Sequence, residues 1–377
     1  MIYLDNAATT FPKPLSVTRR VLRCLTHECG NPGRGSHKMA LRAAEAVHCC
    51  RETAASFFGA PGAENVILTL NTIYALNMAL KSILSPGDHV LAGNMEHNSV
   101  LRPLNALCER DGVTADFFDV RGSADDVLAE LARKIRPETR VLVCAHVPNI
   151  ANTEIPVSEI GAFCRERGIT FVLDAAQSAG HRPIDMGEMN IDVLCAPGHK
   201  GLYGIQGCGL MVLGENCPAG RTLVEGGSGS ASLEAGMPGE IPEHFEAGTL
   251  PTPAAAGLDA GMRWVRSVGI EAIHALECRL WRMLRSDLAA MGNIYVADET
   301  PGAVLLLNAE GFSPAEIAGE LDHRGICVRA GYHCAPAAHR ALCTLGTGGV
   351  RVSFGAMNTE RDVRDFSDAL WRILQGR

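Results

Sequence analysis

The sequence lacks the features that mark several classes of protein. Its longest apolar runs, such as residues 303–307, are far too short to cross a bilayer. The first residues show no basic stretch followed by an apolar one, so no signal peptide is predicted. The net charge is -8 and no basic run occurs, which argues against nucleic acid as the main partner. We therefore predict a cytoplasmic protein that binds neither membranes nor nucleic acid.

Two further absences concern residues that carry chemistry. The 14 cysteines include no C-x-x-C pair, which argues against zinc knuckles and ferredoxin clusters, and no metal site is predicted. At 377 residues the chain is too long for a secreted disulfide scaffold, so most cysteines are expected to be small buried hydrophobes. Lysine is scarce, which shortens any search for a Schiff-base lysine. The five lysines are Lys13, Lys38, Lys81, Lys134 and Lys200.

Short apolar runs alternate with helical patterns through the first part of the chain. The runs are rich in Val, Ile, Leu or Cys and occur at residues 64–70, 89–93, 140–146, 170–174, 193–196 and 208–213. The helical patterns occur at residues 73–84, 100–110, 125–135 and 157–167. Strands without polar alternation are typical of a sheet buried on both faces. The alternation therefore predicts an α/β domain with a mostly parallel sheet covered by helices.

A Gly- and Pro-rich stretch at residues 226–242 interrupts this pattern. The remaining patterns are a long helical region at 253–291, a strand at 303–308, a helix at 315–324, short strands at 327–330 and 350–354, and a last helix at 360–374. This mixture predicts a smaller α+β domain.

Two residues that can carry chemistry follow predicted strands. Lys200 lies among glycines just beyond a strand, where partial desolvation would lower its pKa and free the amine for imine formation. The alternative is a surface lysine in a loop. Asp174 ends a strand, and ligands gather at the carboxyl ends of strands in open α/β sheets. Its alternative role is a helix N-cap.

Three other segments are candidates for a site. His97 also follows a strand and can stack on a planar ring, act as an acid–base group or simply stabilise a turn. Residues 69–72 lead from a strand into a helix, whose N-terminus can bind phosphate or be capped by its own side chains. Cys334 lies in a loop beside Arg329 and His333, which are expected to favour its nucleophilic thiolate.

In their order along the chain, these segments resemble class V (aspartate-aminotransferase-fold) pyridoxal-phosphate (PLP) enzymes, and among them the cysteine desulfurase and selenocysteine lyase family. The resemblance extends from Y-L-D-N-A-A-T-T at residues 3–10 to R-V-S-F-G-A-M-N-T at residues 351–359. Its most specific blocks are D-A-A-Q at 174–177, G-H-K at 198–200, F-E-A-G-T at 245–249 and the cysteine loop R-A-G-Y-H-C-A at 329–335.

This resemblance implies the PLP-dependent transferase (aspartate aminotransferase type I) fold. Residues 14–250 would form the large PLP-binding domain. Residues 1–13 and 251–377 would form the small domain, which carries the loop of the catalytic cysteine.

The resemblance also implies a residue for each part of the cofactor. Lys200 would hold PLP covalently and later move protons, and Asp174 would pair with the pyridine nitrogen. His97 would stack on the ring and assist in protonation. The residues implied for the ring hydroxyl are Gln177 and Asn149. Those implied for the phosphate are His199, Asn71, Thr72 and, from a partner subunit, Thr249.

On the substrate side, Arg351 would clamp the substrate carboxylate, a task suited to the planar guanidinium. Asn6 and Ala8 would lie near that carboxylate. Cys334 matches the nucleophile of the group whose loop reads R-x-G-H-H-C-A. The implied reaction takes sulfur from L-cysteine, giving L-alanine and a persulfide on Cys334 for an acceptor protein. Completion of the site by Thr249 implies a homodimer.

Some positions depart from the family pattern. Tyr332 replaces the first histidine of the loop, Ile73 and Tyr74 replace a threonine and a glutamate, and Asn152 replaces a glycine. Three alternatives therefore stay open. The protein could be a selenocysteine lyase acting on L-selenocysteine, another class V lyase or aminotransferase, or a sulfur carrier or regulatory protein without catalysis. The pathway is also open, with iron–sulfur cluster assembly among the candidates.

Overall fold

The structure is a computed structural model that describes residues 1–33, 35–215, 217 and 220–376. Its strands are β1 (Ile2–Tyr3), β2 (Val66–Thr69), β3 (His89–Gly93), β4 (Thr114–Phe118), β5 (Thr139–Ala145), β6 (Thr170–Asp174), β7 (Val193–Pro197), β8 (Gly209–Leu213), β9 (Ile294–Val296), β10 (Val304–Ala309), β11 (Ile326–Cys327), β12 (Arg329–Gly331) and β13 (Gly349–Ser353). Its helices are α1 (Leu15–His27), α2 (Lys38–Phe58), α3 (Thr72–Ile83), α4 (Asn98–Arg110), α5 (Ala124–Lys134), α6 (Val157–Arg167), α7 (Thr252–Val268), α8 (Ile270–Met291), α9 (Pro314–His323), α10 (Pro336–Ala341) and α11 (Glu360–Gln375).

The largest sheet has seven strands in the order β2-β8-β7-β6-β5-β3-β4. The pairs from β7 to β4 are parallel, whereas β8 runs antiparallel to both of its neighbours. The predicted mostly parallel sheet and the α/β fold class are confirmed. Since β3, β5, β6 and β7 point the same way, their carboxyl ends meet at one edge, where ligands of such sheets gather.

Both faces of this sheet are buried, as the continuous apolar runs predict. Successive side chains of a strand point to opposite faces. In β6, Leu173 packs into a core with residues of α2, α6 and α7, whereas Val172 packs into a second core with residues of α3 and α4. The sheet is therefore a rigid layer held between helices, and its edge positions the loops that follow each strand.

A second sheet, with all its pairs antiparallel, has the order β12-β13-β10-β9 and shares a core with α8, α9 and α11. The start of the chain joins this half, because β1 pairs with β11 and Leu4 lies in the same core. The expected α+β character of this part agrees with the structure. The division into domains at residues 13/14 and 250/251 stays a prediction.

The structure differs from the predicted elements in three places. The T-A-D-F-F segment of β4 is half-exposed at the sheet edge, so it lacks the apolar run used to predict strands. Helices α1 and α2, which precede the first predicted strand, were not predicted. The long helical region at 253–291 is two helices, because Gly269 has a φ of 93° and ends α7.

In the described part of the chain, no helix is long and apolar enough to cross a membrane. Nor do the described histidines, cysteines and carboxylates form a group that could hold a metal ion.

Candidate active site

A cavity of about 240 Å³ lies at the carboxyl edge of the large sheet. Its walls come from the segments that follow β2, β3, β5, β6 and β7. Eight of the residues expected at the site line it: Asn71, Thr72, His97, Asn149, Asp174, Gln177, His199 and Lys200. Residues far apart in sequence are thus brought together by the parallel order of the strands.

Asp174 is the last residue of β6 and its side chain is buried. One carboxylate oxygen accepts a hydrogen bond from the N–H of Ala176 at 2.9 Å, and the other lies 3.5 Å from the hydroxyl of Ser99. Burial raises the pKa of Asp174, against the lowering effects of the Ala176 N–H and the charge of Lys200. A cationic group beside this carboxylate would stabilise its charged form.

Lys200 lies in the turn that follows β7. Burial, and then the positive charge of Arg351, lower the pKa of its amine to about 8. Gly201 is required here, because a Cβ atom at this position would overlap the main-chain carbonyl of Ala179. Lys200 is therefore held in a tight turn, with an amine that loses its proton more readily than an exposed lysine.

The start of the chain fastens this turn, a contact that the sequence analysis missed. The hydroxyl of Thr10 donates to the carbonyls of His199 and Lys200, at 3.2 and 3.0 Å. The amine of Lys13 donates to the His199 carbonyl at 2.7 Å. Burial lowers the pKa of Lys13 to about 8. No pattern in the sequence indicates that residues 10–13 cross over to residues 199–200.

His97 caps α4, and its Nδ1 accepts a hydrogen bond from the N–H of Ser99 at 3.0 Å. Burial, followed by the charge of Lys200, lowers its pKa to about 4, so the imidazole is neutral at pH 7. The Ser99 hydroxyl lies 2.9 Å from His97 Nδ1 and links this ring to Asp174. Ser99 was not among the predicted site residues, although its place at the N-terminus of α4 was a signal.

Three buried polar atoms around the cavity have no hydrogen-bond partner among the described residues. They are Thr72 Oγ1, Asn149 Oδ1 and His199 Nδ1. A buried polar group without a partner costs about 1–3 kcal/mol, so three at one cavity indicate a site for a polar ligand. The hydroxyl of Thr72, at the first turn of α3, and the ring nitrogen of His199 suit phosphate oxygens, and the amide oxygen of Asn149 suits a hydroxyl group. These donors and acceptors fit PLP.

The predicted partners of the ring hydroxyl also bond to the main chain. Asn149 donates through Nδ2 to the carbonyl of His333 at 2.7 Å. Gln177 donates through Nε2 to the carbonyl of Ala7 at 3.1 Å. Both side chains are therefore fixed at the cavity wall by segments from the other half of the chain.

Five expected residues do not line this cavity: Asn6, Ala8, Thr249, Cys334 and Arg351. The amide of Asn6 is already committed, donating to the Ser353 carbonyl at 3.1 Å and to Asn358 Oδ1 at 3.0 Å. Thr249 lines a separate cavity of about 710 Å³. A role in the cavity of the same chain is not supported for Thr249, which leaves the expected role in a partner subunit.

Arg351 lies in β13 with its guanidinium buried beside the cavity wall. It donates to the carboxylate of Asp5 at 2.8 Å and to the carbonyl of Asn149 at 3.2 Å. Its Nε is buried without a partner among the described residues. The guanidinium thus keeps a donor available next to a residue that lines the cavity.

Cys334 is exposed in the loop between β12 and α10. The loop is fastened at the cavity wall, because Asn149 bonds the His333 carbonyl and the N–H of Asn98 donates to the Cys334 carbonyl at 2.8 Å. The expectation that His333 favours the thiolate is wrong. Burial, then the charge of Arg351, lower the pKa of His333 to about 3, so its buried ring is neutral.

Similarity to known proteins identifies the family of the chain. A family model described as aminotransferase class-V matches residues 2–366. The chain belongs to this family. Several relatives of the chain are named cysteine desulfurase or probable cysteine desulfurase, and enzymes of this family depend on PLP and have the PLP-dependent transferase fold.

Three similar proteins illustrate the match. A probable cysteine desulfurase of Mycolicibacterium paratuberculosis is 32% identical over 100% of this chain, which spans 56% of that relative's length. A probable cysteine desulfurase of Methanothermobacter thermautotrophicus is 32% identical, covering 99% of this chain and 94% of the relative. The apo structure of a cysteine desulfurase from Thermococcus onnurineus NA1 superposes with a TM-score of 0.90 at 29% identity, covering 100% of this chain and 95% of that one.

The departures from the cysteine desulfurase pattern occupy different surroundings. Ile73 and Tyr74 are exposed on the first turn of α3, and Ile73 lines the cavity. Tyr332 is exposed on the cysteine loop. Asn152 is buried and joins the two halves of the chain, since its amide donates to the carbonyls of Thr300 and Val304 at 2.9 and 2.6 Å.

Proposed function

We propose that this protein is a PLP-dependent cysteine desulfurase that converts L-cysteine to L-alanine and leaves the sulfur as a persulfide on Cys334. One observation carries the proposal. Lys200, Asp174 and His97 line one cavity, and the loop of the exposed Cys334 is bonded to Asn149 of the same cavity wall. This arrangement supports an electron-sink site next to a thiol that accepts the substrate's sulfur.

In this proposal the cofactor is held by the residues around the cavity. Lys200 binds it covalently, and Asp174 pairs with the pyridine nitrogen, which resolves the cost of burying that carboxylate. When bound, PLP supplies an electron sink for charge that develops on the substrate's α-carbon. The residues proposed for the ring hydroxyl are Gln177 and Asn149. Those proposed for the phosphate are His199, Asn71, Thr72 and Thr249 of a second copy of the chain.

The chain's own groups then orient the substrate and move protons. Arg351 binds the substrate carboxylate with its guanidinium, near Asn6 and Ala8. Once the substrate amine has displaced Lys200 from the cofactor, the freed amine of Lys200 takes the α-proton, and a pKa of about 8 suits it to this task near neutral pH. His97 stacks on the ring, and its neutral imidazole assists in returning protons.

Sulfur transfer follows from the exposed thiol. The Cys334 thiolate attacks the substrate sulfur, and an S–S bond forms as the C–S bond breaks. The electron pair of the C–S bond stays with the substrate's β-carbon, which takes up a proton to complete alanine. Because Cys334 is exposed on a loop, its persulfide is accessible to a second thiol. A sulfur-acceptor protein, a homodimer and a cytoplasmic location complete the proposal.

The test is to incubate the PLP-loaded protein with L-cysteine and a reductant, and to quantify alanine and sulfide. We expect equal amounts, no turnover in Lys200→Ala, and no persulfide in Cys334→Ala. Cys343→Ala is the matched control, since Cys343 is also an exposed thiol. Persulfide formation without Cys334 would contradict its role, and pyruvate in place of alanine would indicate a lyase. Turnover of L-selenocysteine that does not need Cys334 would indicate a selenocysteine lyase.

A further inference from the structure

A buried histidine of the cysteine loop, His333, contacts a second buried histidine, His339. His339, in α10, is fully buried, and its Nε2 lies 3.3 Å from Nδ1 of His333. The two rings are nearly parallel, with an interplanar angle of 17° and centroids 5.6 Å apart. On its other side, His339 Nδ1 lies 2.7 Å from the hydroxyl of Thr344. The proposed reaction gives His339 no role.

The hydrogen-bond partners fix the protons of this pair. The Nε2 of His333 lies 3.1 Å from the carbonyl of Arg329, which can only accept, so this nitrogen carries the proton. The ring is neutral, and its Nδ1 is therefore an acceptor. His339 must donate to it from Nε2, which leaves Nδ1 of His339 to accept from the Thr344 hydroxyl. These bonds then run from Thr344 through both rings to the Arg329 carbonyl, while the Thr344 hydroxyl also lies 3.4 Å from the His339 carbonyl and the His339 ring also bonds the main chain of Tyr332.

This series of hydrogen bonds bears on the backbone conformation of His333 and Cys334. His333 and Cys334 have φ values of 53° and 55°, in the left-handed region that residues with side chains rarely adopt. Neither position is a glycine, so surrounding contacts must impose the conformation. Two of them hold carbonyls, from Asn149 to His333 and from Asn98 to Cys334. The N–H of Ala335 donates to the Tyr332 carbonyl at 2.9 Å and closes a turn around these two residues, and the ring of His333, which His339 contacts, adds a side-chain restraint.

We propose that His339 is a positioning residue for sulfur transfer, which acts through His333 to hold Cys334 in the conformation that presents its thiol. The role of His339 in sulfur transfer rests on the proposed function. Its role in holding the loop of Cys334 does not depend on that function. Tyr332, which replaces a histidine of the family loop, packs edge-on against the ring of His339 at 5.6 Å. The residue that departs from the family pattern thus contacts the same buried ring.

The variants separate positioning from general stability. His339→Phe keeps an aromatic ring but removes both nitrogens, whereas His339→Gln keeps an amide donor for His333. His89→Phe is the matched control, because His89 is equally buried and bonds to Thr139 at 2.8 Å. His89 begins β3, at the opposite edge of the sheet from the cavity. Thr344→Val removes the hydroxyl that bonds to Nδ1 of His339. It replaces His339→Phe as the test variant if His339→Phe does not fold.

The first readout needs neither cofactor nor turnover. Hydrogen–deuterium exchange of the apo protein reports on the Asn98 amide, which is bonded to the Cys334 carbonyl. In peptides covering residue 98 and residues 331–336, we expect exchange about tenfold faster in His339→Phe, the scale of one lost buried hydrogen bond. His339→Gln should restore protection and His89→Phe should leave it unchanged. Unchanged exchange in His339→Phe would overturn the proposal.

The second readout divides the reaction into its steps. With PLP and L-cysteine, His339→Phe should slow persulfide formation on Cys334 about tenfold, while exchange of the substrate α-proton with solvent stays within about twofold. His339→Gln should recover most of the rate. Equal slowing of both steps would show a general structural role and refute positioning. If the wild type forms no persulfide, the proposed function fails, while the exchange result still decides whether His339 holds the loop.

Discussion

The pKa of Lys200 allows a quantitative test of the site. Burial is the main cause that lowers it from 10.5 to about 8, and the charge of Arg351 adds to this effect. Lowering the pKa from 10.5 to about 8 raises the fraction of molecules with a neutral Lys200 amine at pH 7 from roughly 0.03% to roughly 10%, about 300-fold. Because only the neutral amine attacks a carbonyl, capture of PLP by the apo protein should accelerate about tenfold per pH unit and level off above about pH 8.

Two substitutions should move this pKa in opposite directions. Arg351→Met removes a positive charge that lowers the pKa of Lys200, so the pKa should rise. Asp174→Asn removes a negative charge that raises it, so the pKa should fall. Arg285→Met is the control, because it removes an arginine of α8 that is paired with Glu299 and is not among the charges that shift the pKa of Lys200.

The scarcity of lysine makes the measurement direct. After reductive methylation with ¹³C-formaldehyde, the apo protein carries five labelled lysines, and each NMR signal can be assigned with a Lys→Arg variant. The signals of Lys200 and Lys13 should both titrate near pH 8. Titration of Lys200 near 10.5 would refute the reasoning. So would a shift in the same direction in Arg351→Met and Asp174→Asn.

Two further predictions concern stability, measured by urea unfolding of the apo protein. Glu246→Ala leaves the buried Arg51, now 2.5 Å from Glu246, without its partner, so the free energy of unfolding should fall by about 3–5 kcal/mol. A loss below about 1 kcal/mol would contradict that account. Asn152→Gly removes the amide that bonds the main chain of Thr300 and Val304, and should cost about 2 kcal/mol or more. Faster deuterium exchange at the Val304 amide should accompany that loss, and unchanged exchange there would contradict it.

The sequence predicted the central sheet well because its strands are apolar on both faces. Every residue of β3, β7 and β8 is buried, and the predicted runs match these strands to within one residue at each end. β4 was missed for the opposite reason, since it is half-exposed at an edge. The break between α7 and α8 depends on the positive φ of Gly269, which a helical pattern does not reveal.

The cofactor side of the site could be predicted from residues at strand ends. Asp174 ends β6 and Lys200 follows β7, and a parallel sheet brings such positions to one edge whatever the connecting loops contain. The fastening of the Lys200 turn by Thr10 and Lys13 could not be predicted in this way. It joins segments about 190 residues apart in the chain, and no local pattern encodes the contact.

The cysteine loop was hardest to predict because distant residues, Asn149 and Asn98, bond its backbone in addition to the loop's own turn. Local sequence favours a glycine wherever φ is positive, yet His333 and Cys334 occupy such positions. A turn hydrogen bond from Ala335 to Tyr332 encloses them, and Asn149, Asn98 and His339 add contacts from outside that turn. His333, which was expected to favour the thiolate of Cys334, is buried and neutral, and it bonds to His339. The proximity of a histidine to a cysteine in sequence therefore says little about the thiolate, whereas the direction of the histidine's hydrogen bonds shows what the ring does.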